Sequence, residues 1–401
     1  MKKLIAFSIS LSALIISACR EEHPLGPLYD DPTPPGLVSN VKVTATPGGA
    51  LLTYSLPKDK NLLYVVAEVQ TRAGVLRQFK SSFHTNQIKI QGLGDTSEYK
   101  VKLYSVNGAE VRSAAVETGI KPLLPPFMSV FKTLKLVADF GGVRLDYINP
   151  EKQTLEVVLL GPDSLKKFSQ INITNVSADT GYHNFRGLPA EKAKFGVFLR
   201  DRWGNVSDTL LAELTPYFEK QLEKNKFRSN HLPGDGKLSV QWNITYESIW
   251  DGRWSSDFNM PYDGSGNNWM NLDTNEPGLA PVSVTIDMGV KAQLSRFRIN
   301  HYYRYIHKDM KRYEIWGSNN PAPDGSWDSW TLLTTYEQKK PSGLGYAVYN
   351  DEDAQAWVKG DQGDIPSNKP AVRYIRIRCL ENWLGNGNLS LTELTLWGQP
   401  L

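Results

Sequence analysis

One stretch of this chain occurs twice. Gly48-Gly49-Ala50-Leu51-Leu52-Thr53-Tyr54-Ser55-Leu56-Pro57 returns 93 residues later as Gly141-Gly142-Val143-Arg144-Leu145-Asp146-Tyr147-Ile148-Asn149-Pro150. Gly92-Leu93 returns as Gly187-Leu188, Tyr99, Val101 and Leu103 as Phe195, Val197 and Leu199, and Pro122 as Pro216, at nearly the same offset. Two consecutive copies of one folding unit follow, each with its own core. Within each copy apolar residues alternate with polar ones, as in Leu37-Val38-Ser39-Asn40-Val41-Lys42-Val43, and Gly, Pro, Asn and Asp separate the runs. That period of two marks antiparallel strands.

A repeat of this length suits an immunoglobulin or fibronectin type III-like sandwich of about 100 residues. The expected fold class is all-β: two tandem sandwiches over residues 36–121 and 122–215, joined by Leu123-Leu124-Pro125-Pro126 as a stiff connection. Residues 216–232 follow a proline and read as a short helical linker around Tyr217-Phe218-Glu219-Lys220-Gln221-Leu222-Glu223-Lys224. Asp201-Arg202-Trp203-Gly204-Asn205 reads as a hairpin whose tryptophan is either a binding platform or, as is commoner beside a turn, a cap over the sandwich end.

The N-terminus sets the expected compartment. Lys2 and Lys3 precede an apolar run from Leu4 to Ile16, too short to span a bilayer and ending at Ser17-Ala18-Cys19. Residues 1–18 read as a signal peptide, and Ile16-Ser17-Ala18-Cys19 resembles the lipobox of bacterial lipoproteins. That resemblance implies lipidation at Cys19, membrane attachment through the lipid, and a proline-rich tether over 19–35. Arg20-Glu21-Glu22 resembles the short export signal of Bacteroidetes surface lipoproteins. Taking Lys2 and Lys3 away lowers the formal charge from +3 to near +1, which argues against nucleic acid as a partner. Cys379, the one cysteine besides Cys19, lies beside Ile375 and Ile377 in an alternating strand and reads as a buried hydrophobe.

From residue 233 to 401 the pattern changes. Ten of the eleven tryptophans lie here, and long polar loops separate the strands. Val282-Ser283-Val284-Thr285-Ile286-Asp287-Met288-Gly289, Lys311-Arg312-Tyr313-Glu314-Ile315-Trp316-Gly317-Ser318, Val372-Arg373-Tyr374-Ile375-Arg376-Ile377-Arg378 and the closing Leu391-Thr392-Glu393-Leu394-Thr395-Leu396-Trp397 follow one another in order. In order and spacing they resemble the discoidin family, the galactose-binding-like jelly roll, although the paired cysteines of the animal domains are lacking. The whole chain resembles the accessory lipoproteins of Bacteroidetes polysaccharide-utilisation systems. The resemblance implies a non-catalytic, cell-surface glycan-binding lipoprotein of the outer membrane, partnered with a glycan and with an importer complex. It also implies a structural calcium, with Asp251 and Glu393 falling where the family's ligands would be; the competing reading is a capped turn. No motif calls for an organic cofactor.

A sugar ring has an apolar face edged with hydroxyls, so its site combines an exposed aromatic plane with planar donors and acceptors. Loops around residues 250–259, 301–309 and 381–388 carry that mixture, and the resemblance implies that they meet at one end of the barrel. The ligand-binding candidates are Trp254, Tyr303, Arg304, His307, Trp383 and Asn386, with Trp383 the leading platform. Trp316 and Trp397, inside strand patterns, are assigned to the core, while Trp327 and Trp330 sit in a loop that reads as surface or lid. No nucleophile elbow, metalloprotease helix or phosphate loop is present, so catalysis is not expected. The alternative to glycan binding is a surface scaffold or adhesin that grips a protein partner, since aromatic-rich loops serve protein interfaces too.

Overall fold

The computed structural model describes residues 31–238, 245–252, 254, 270–273, 281–301, 309–385 and 389–401. The chain is all-β. In the first unit, strands β1 (Ser39–Thr46), β2 (Gly49–Ser55) and β5 (Gln87–Ile90) form one sheet; β4 (Leu76–Ser82), β3 (Leu62–Gln70), β6 (Tyr99–Asn107) and β7 (Val116–Ile120) form the facing one. The second unit opens with helix α1 (Pro126–Phe131) and repeats this order: β8 (Lys135–Asp139), β9 (Gly142–Ile148) and β12 (Thr180–Arg186) oppose β11 (Phe168–Val176), β10 (Leu155–Pro162), β13 (Ala193–Arg200) and β14 (Leu210–Leu214). Each sandwich closes on a core of its own.

The glycine pairs of the repeat have a steric cause. Gly48 and Gly141 take φ of 63° and 66°, which favours glycine at the tight turn. A Cβ on the following Gly49 or Gly142 would lie 1.9 or 1.8 Å from the carbonyl oxygen of Ile90 or Phe185. The same turns carry the joints between domains. Gly48 N–H donates to Leu123 O at 3.0 Å, and Gly141 N–H donates to Tyr217 O at 2.8 Å.

The segment expected to be a helical linker is extended instead. It forms β15 (Lys220–Gln221), a 3-10 turn at Lys224–Lys226 and β16 (Arg228–Ser229), and both strands join the last domain's sheet. Tyr217, Leu222 and Phe227 recur every five residues, which places no stripe on a helix of 3.6 residues per turn. Leu222 and Phe227 instead enter the third core one at a time, and Leu222 N–H donates to Leu396 O at 2.9 Å.

The third unit is a jelly-roll sandwich. Its short sheet comprises β17 (Lys237–Leu238), β18 (Met270–Asp273) and β24 (Leu389–Leu391). The large sheet is built around β19 (Val282–Asn300), with β20 (Met310–Ser318), β21 (Thr331–Glu337), β22 (Asp361–Asp364), β23 (Val372–Asn382) and β25 (Glu393–Pro400). The first half of β19 pairs with β23; after a bend at Gly289 its second half pairs with β25 and β22. At the bend φ is 66° and a Cβ would meet Lys226 O at 2.5 Å, so glycine is required there. Helix α2 (Asp351–Lys359) starts at an Asn350 capping box. Among the described residues, no helix is long and apolar enough to cross a membrane.

Candidate functional site

Strand register brings one set of strand ends together: Met310 opposes Asn382, and Asn300 opposes Glu393. From this end departs the loop 338–350. The strands therefore place this loop at one pole of the third domain. Tyr303, Arg304, His307 and Asn386 lie outside the described residues, as does Cys19.

Trp383 is not an exposed platform, contrary to its expected role. It is 6 % exposed, and its indole N–H donates to Gln338 Oε1 at 2.6 Å. Its ring packs against Trp357 with centroids 6.2 Å apart, and Lys340 Nζ lies 4.1 Å from its centroid. An indole whose donor can reach an acceptor is stable inside a protein. Lys340 then spans the loop above, donating to Gly345 O at 2.7 Å and Val348 O at 2.6 Å. Burial pulls its pKa below the usual lysine range.

Beneath Trp383 lies a buried polar network centred on Asp361. Gln338 Nε2 donates to Asp361 Oδ1 at 2.8 Å, the Tyr313 hydroxyl donates to Oδ2 at 3.1 Å, and His301 Nε2 lies 2.8 Å from Oδ2. Burial disfavours the His301 imidazolium, yet the carboxylates of Asp361 and Asp309 outweigh it and hold its pKa above the ordinary value. Enclosed from solvent, these groups fix the strand ends and offer no access to a substrate.

Tyr346 is an exposed aromatic at this pole. It is 47 % exposed and stands 5.9 Å from Trp383, centroid to centroid. Lys311 Nζ lies 4.2 Å from its ring centroid and also donates to its hydroxyl, which in turn donates to Glu381. Lys311 closes the triangle on Glu381 at 3.0 Å. The Tyr346 hydroxyl, ahead of Lys311, holds the Glu381 carboxyl below the usual carboxylate range. Leu344, Val348, Tyr349 and Leu384 add exposed apolar surface around it. An aromatic plane edged by an ammonium and a carboxylate is thus fixed on a buried indole.

Trp254 is half-buried. Arg298 lies 5.1 Å from its ring centroid and 5.8 Å from that of Trp397, which carries Arg296 at 4.1 Å on the outer face of β19 and β25. Trp397 is therefore half-buried against arginines instead of joining the core. Trp316 is likewise half-buried and packs edge-on against Trp327, whose ring centroid lies 4.3 Å from the Arg376 guanidinium carbon. Trp330 is buried, so this loop is a lid.

Glu393, a suggested metal ligand, is fully buried and ion-paired with Lys224; Gly252 N–H donates to its second oxygen at 3.2 Å. With both oxygens already facing donors, the residues described here fit an ammonium and do not fit calcium. Asp251 is exposed, close enough that its charge helps to raise the Glu393 pKa. No group of three His, Cys, Asp or Glu side chains placed to hold a metal occurs among the described residues.

Sequence reasoning passed over Tyr346, Lys311 and Glu381. The available signal was Leu344-Gly345-Tyr346-Ala347-Val348-Tyr349, an apolar run in a loop that has no strand partner and leads directly into a helix cap.

Fold and surface together define a three-domain β-sandwich protein that displays a loop-built aromatic surface on its last domain. Three families match in series, each described as a domain of unknown function: DUF4959 over residues 35–122, DUF5126 over 123–225 and DUF5000 over 259–398. Among solved structures, the chain is similar to SusE-like protein BT2857, at 29 % identity over 69 % of this chain and 100 % of that one, with a TM-score of 0.44. It is also similar to the family 32 carbohydrate-binding module of NanJ from Clostridium perfringens, solved with galactose, at 15 % identity over 45 % of this chain and 98 % of that one, TM-score 0.30. A two-domain fibronectin type III segment of chicken tenascin matches at 13 % identity over 44 % of this chain and 98 % of that one, TM-score 0.22. None of the curated proteins matches.

Proposed function

We propose that this protein is a non-catalytic, lipid-anchored cell-surface glycan binder, which captures polysaccharide or oligosaccharide for an outer-membrane uptake system through the loop pole of its third domain. The observation that carries the reading is the exposed Tyr346 ring, held by Lys311 and Glu381 above buried Trp383. Such a plane offers CH–π contact to a sugar face, while the flanking ammonium and carboxylate supply donors and acceptors for its hydroxyls. The lipobox at Cys19 supports the anchor, and the resemblance of the whole chain to accessory lipoproteins supports the partnership with an importer.

The test is a glycan-array and affinity-gel screen of residues 20–401 beside Tyr346→Ala. Glycan binding that falls at least tenfold in the variant, with its melting temperature unchanged, is the expected result. Binding of a protein partner that survives the substitution, with no glycan retained, would replace this reading with that of a scaffold or adhesin.

A further inference from the structure

A cleft of about 430 Å³ lies between the second sandwich and the third domain, lined by Tyr182 and Arg186 on one side and by Arg296, Thr335, Tyr336 and Gln362 on the other. Its walls are held in fixed register. Asp364 accepts from Arg186 at 2.6 Å and from Asn184 at 2.8 Å; Glu219 accepts from Ser295 at 2.6 Å and takes Arg296 at 3.0 and 3.1 Å. A cleft formed in advance spares a ligand the cost of ordering it.

The Tyr182 ring is 54 % exposed, with the Arg144 guanidinium carbon 5.7 Å from its centroid. The sandwich itself does not require these residues. By strand register the first copy carries Gln87 where the second has Tyr182, and Leu51 where it has Arg144. Only the copy that faces the third domain has an aromatic and an arginine there. The arginines do not make the cleft an anion site, because Arg144 pairs with Asp146, Arg186 with Asp364 and Arg296 with Glu219. What remains is a neutral, polar space with the exposed Tyr182 ring, the half-buried Tyr336 and the exposed side chains of Gln362 and Thr335. That chemistry suits an uncharged polyhydroxylated ligand.

We infer that this interdomain cleft is a second glycan subsite, with Tyr182 as its stacking plane and Gln362 as a hydroxyl partner. The inference rests on the glycan-binding reading and extends it. Strand β21 connects the two sites: Thr335 and Tyr336 line the cleft, and Gln338, just beyond, holds Trp383. A chain of several sugars can engage both, whereas a short one reaches a single site.

The test uses residues 20–401 on a printed array of plant, microbial and mucin oligosaccharides from mono- to octasaccharide, with Tyr182→Ala, Gln362→Ala and Tyr346→Ala in parallel. Both replaced cleft residues are partly or well exposed, so folding is retained. The expected result is that Tyr182→Ala and Gln362→Ala each weaken binding of the longest oligosaccharides at least fivefold and leave the short ones unchanged, while Tyr346→Ala weakens all lengths. If both cleft variants match wild type while Tyr346→Ala loses binding, the second subsite is overturned and the first stands. If the cleft variants lose binding and Tyr346→Ala does not, the subsite stands and the pole falls. No retention of any glycan by the unmodified chain overturns both.

Discussion

The Trp383 indole N–H meets Gln338 Oε1 at 2.6 Å, and the amide of the same glutamine donates to Asp361 Oδ1 at 2.8 Å. This relay ties the loop pole to the buried His301–Asp361–Tyr313 network, so the floor of the candidate site is part of the core. Residues that build the floor and residues that could touch a ligand are accordingly different ones.

Trp383→Ala is expected to cost about 3–5 kcal/mol of stability, as deletion of a buried aromatic does. Trp383→Phe keeps most of the ring but leaves Gln338 Oε1 without its donor, at a cost of about 1–3 kcal/mol. Tyr346→Ala, at an exposed position, should stay within about 0.5 kcal/mol. Urea titrations of the three variants check the order. A Trp383→Ala protein as stable as wild type would mean that the indole is not the floor described here.

Cys379 is 2 % exposed, and burial pushes its thiol pKa up to about 12. The thiolate is the reactive form, so the folded protein should resist a disulfide reagent at pH 8. For residues 20–401, one thiol should appear only on addition of denaturant. Rapid labelling without denaturant would show that β23 opens readily.

The repeat, the alternation and the discoidin-like segments were enough to read the all-β class and the order of its units, because each reflects local sterics or strand periodicity. The linker at 216–232 was misread because its register is dictated from outside: Lys220-Gln221 and Arg228-Ser229 pair with strands that lie far along the sequence. Trp383 was misread for a related reason. Its neighbours in sequence, Asn382 and Leu384, give no hint of Lys340, Gln338 and Trp357, which come from other elements and close over it. Tyr346 went unnoticed because its partners, Lys311 and Glu381, lie on two strands brought together only by the sheet.

Trp203 lies across the joint between the first two domains instead of capping its own. The Arg77 guanidinium carbon stands 4.9 Å from its ring centroid, Arg77 also donates to Trp203 O at 3.2 Å, and Phe79 meets the ring edge-on at 6.3 Å. A cation–π contact of this kind is worth about 0.5–2 kcal/mol. Trp203→Ala should therefore leave each sandwich folded but speed amide exchange in β4 and around Gly92, whose carbonyl accepts from both Arg77 and Asn205. Exchange unchanged in β4 would mean that the joint is held without the Trp203 ring, by the pairing of Gly48 with Leu123 and by the bonds of Asn205 and Arg202 to Gly92 and Gln91.

Glu393 carries a pH signature. Burial, partly offset by Lys224, raises its pKa from 4.5 to about 7. Because the folded value lies above the unfolded one, the folded state binds the extra proton between about pH 4.5 and 7, and stability falls as pH rises through that window. The full shift corresponds to about 3 kcal/mol. Glu393→Gln should flatten this part of the stability profile, measured by urea midpoints at half-unit steps of pH. Millimolar calcium should leave the wild-type midpoint unchanged, since both carboxylate oxygens already face donors, Lys224 on one and Gly252 N–H on the other. A calcium-dependent rise that disappears in Glu393→Gln would instead mean that the cation displaces Lys224 and makes this carboxylate a metal ligand.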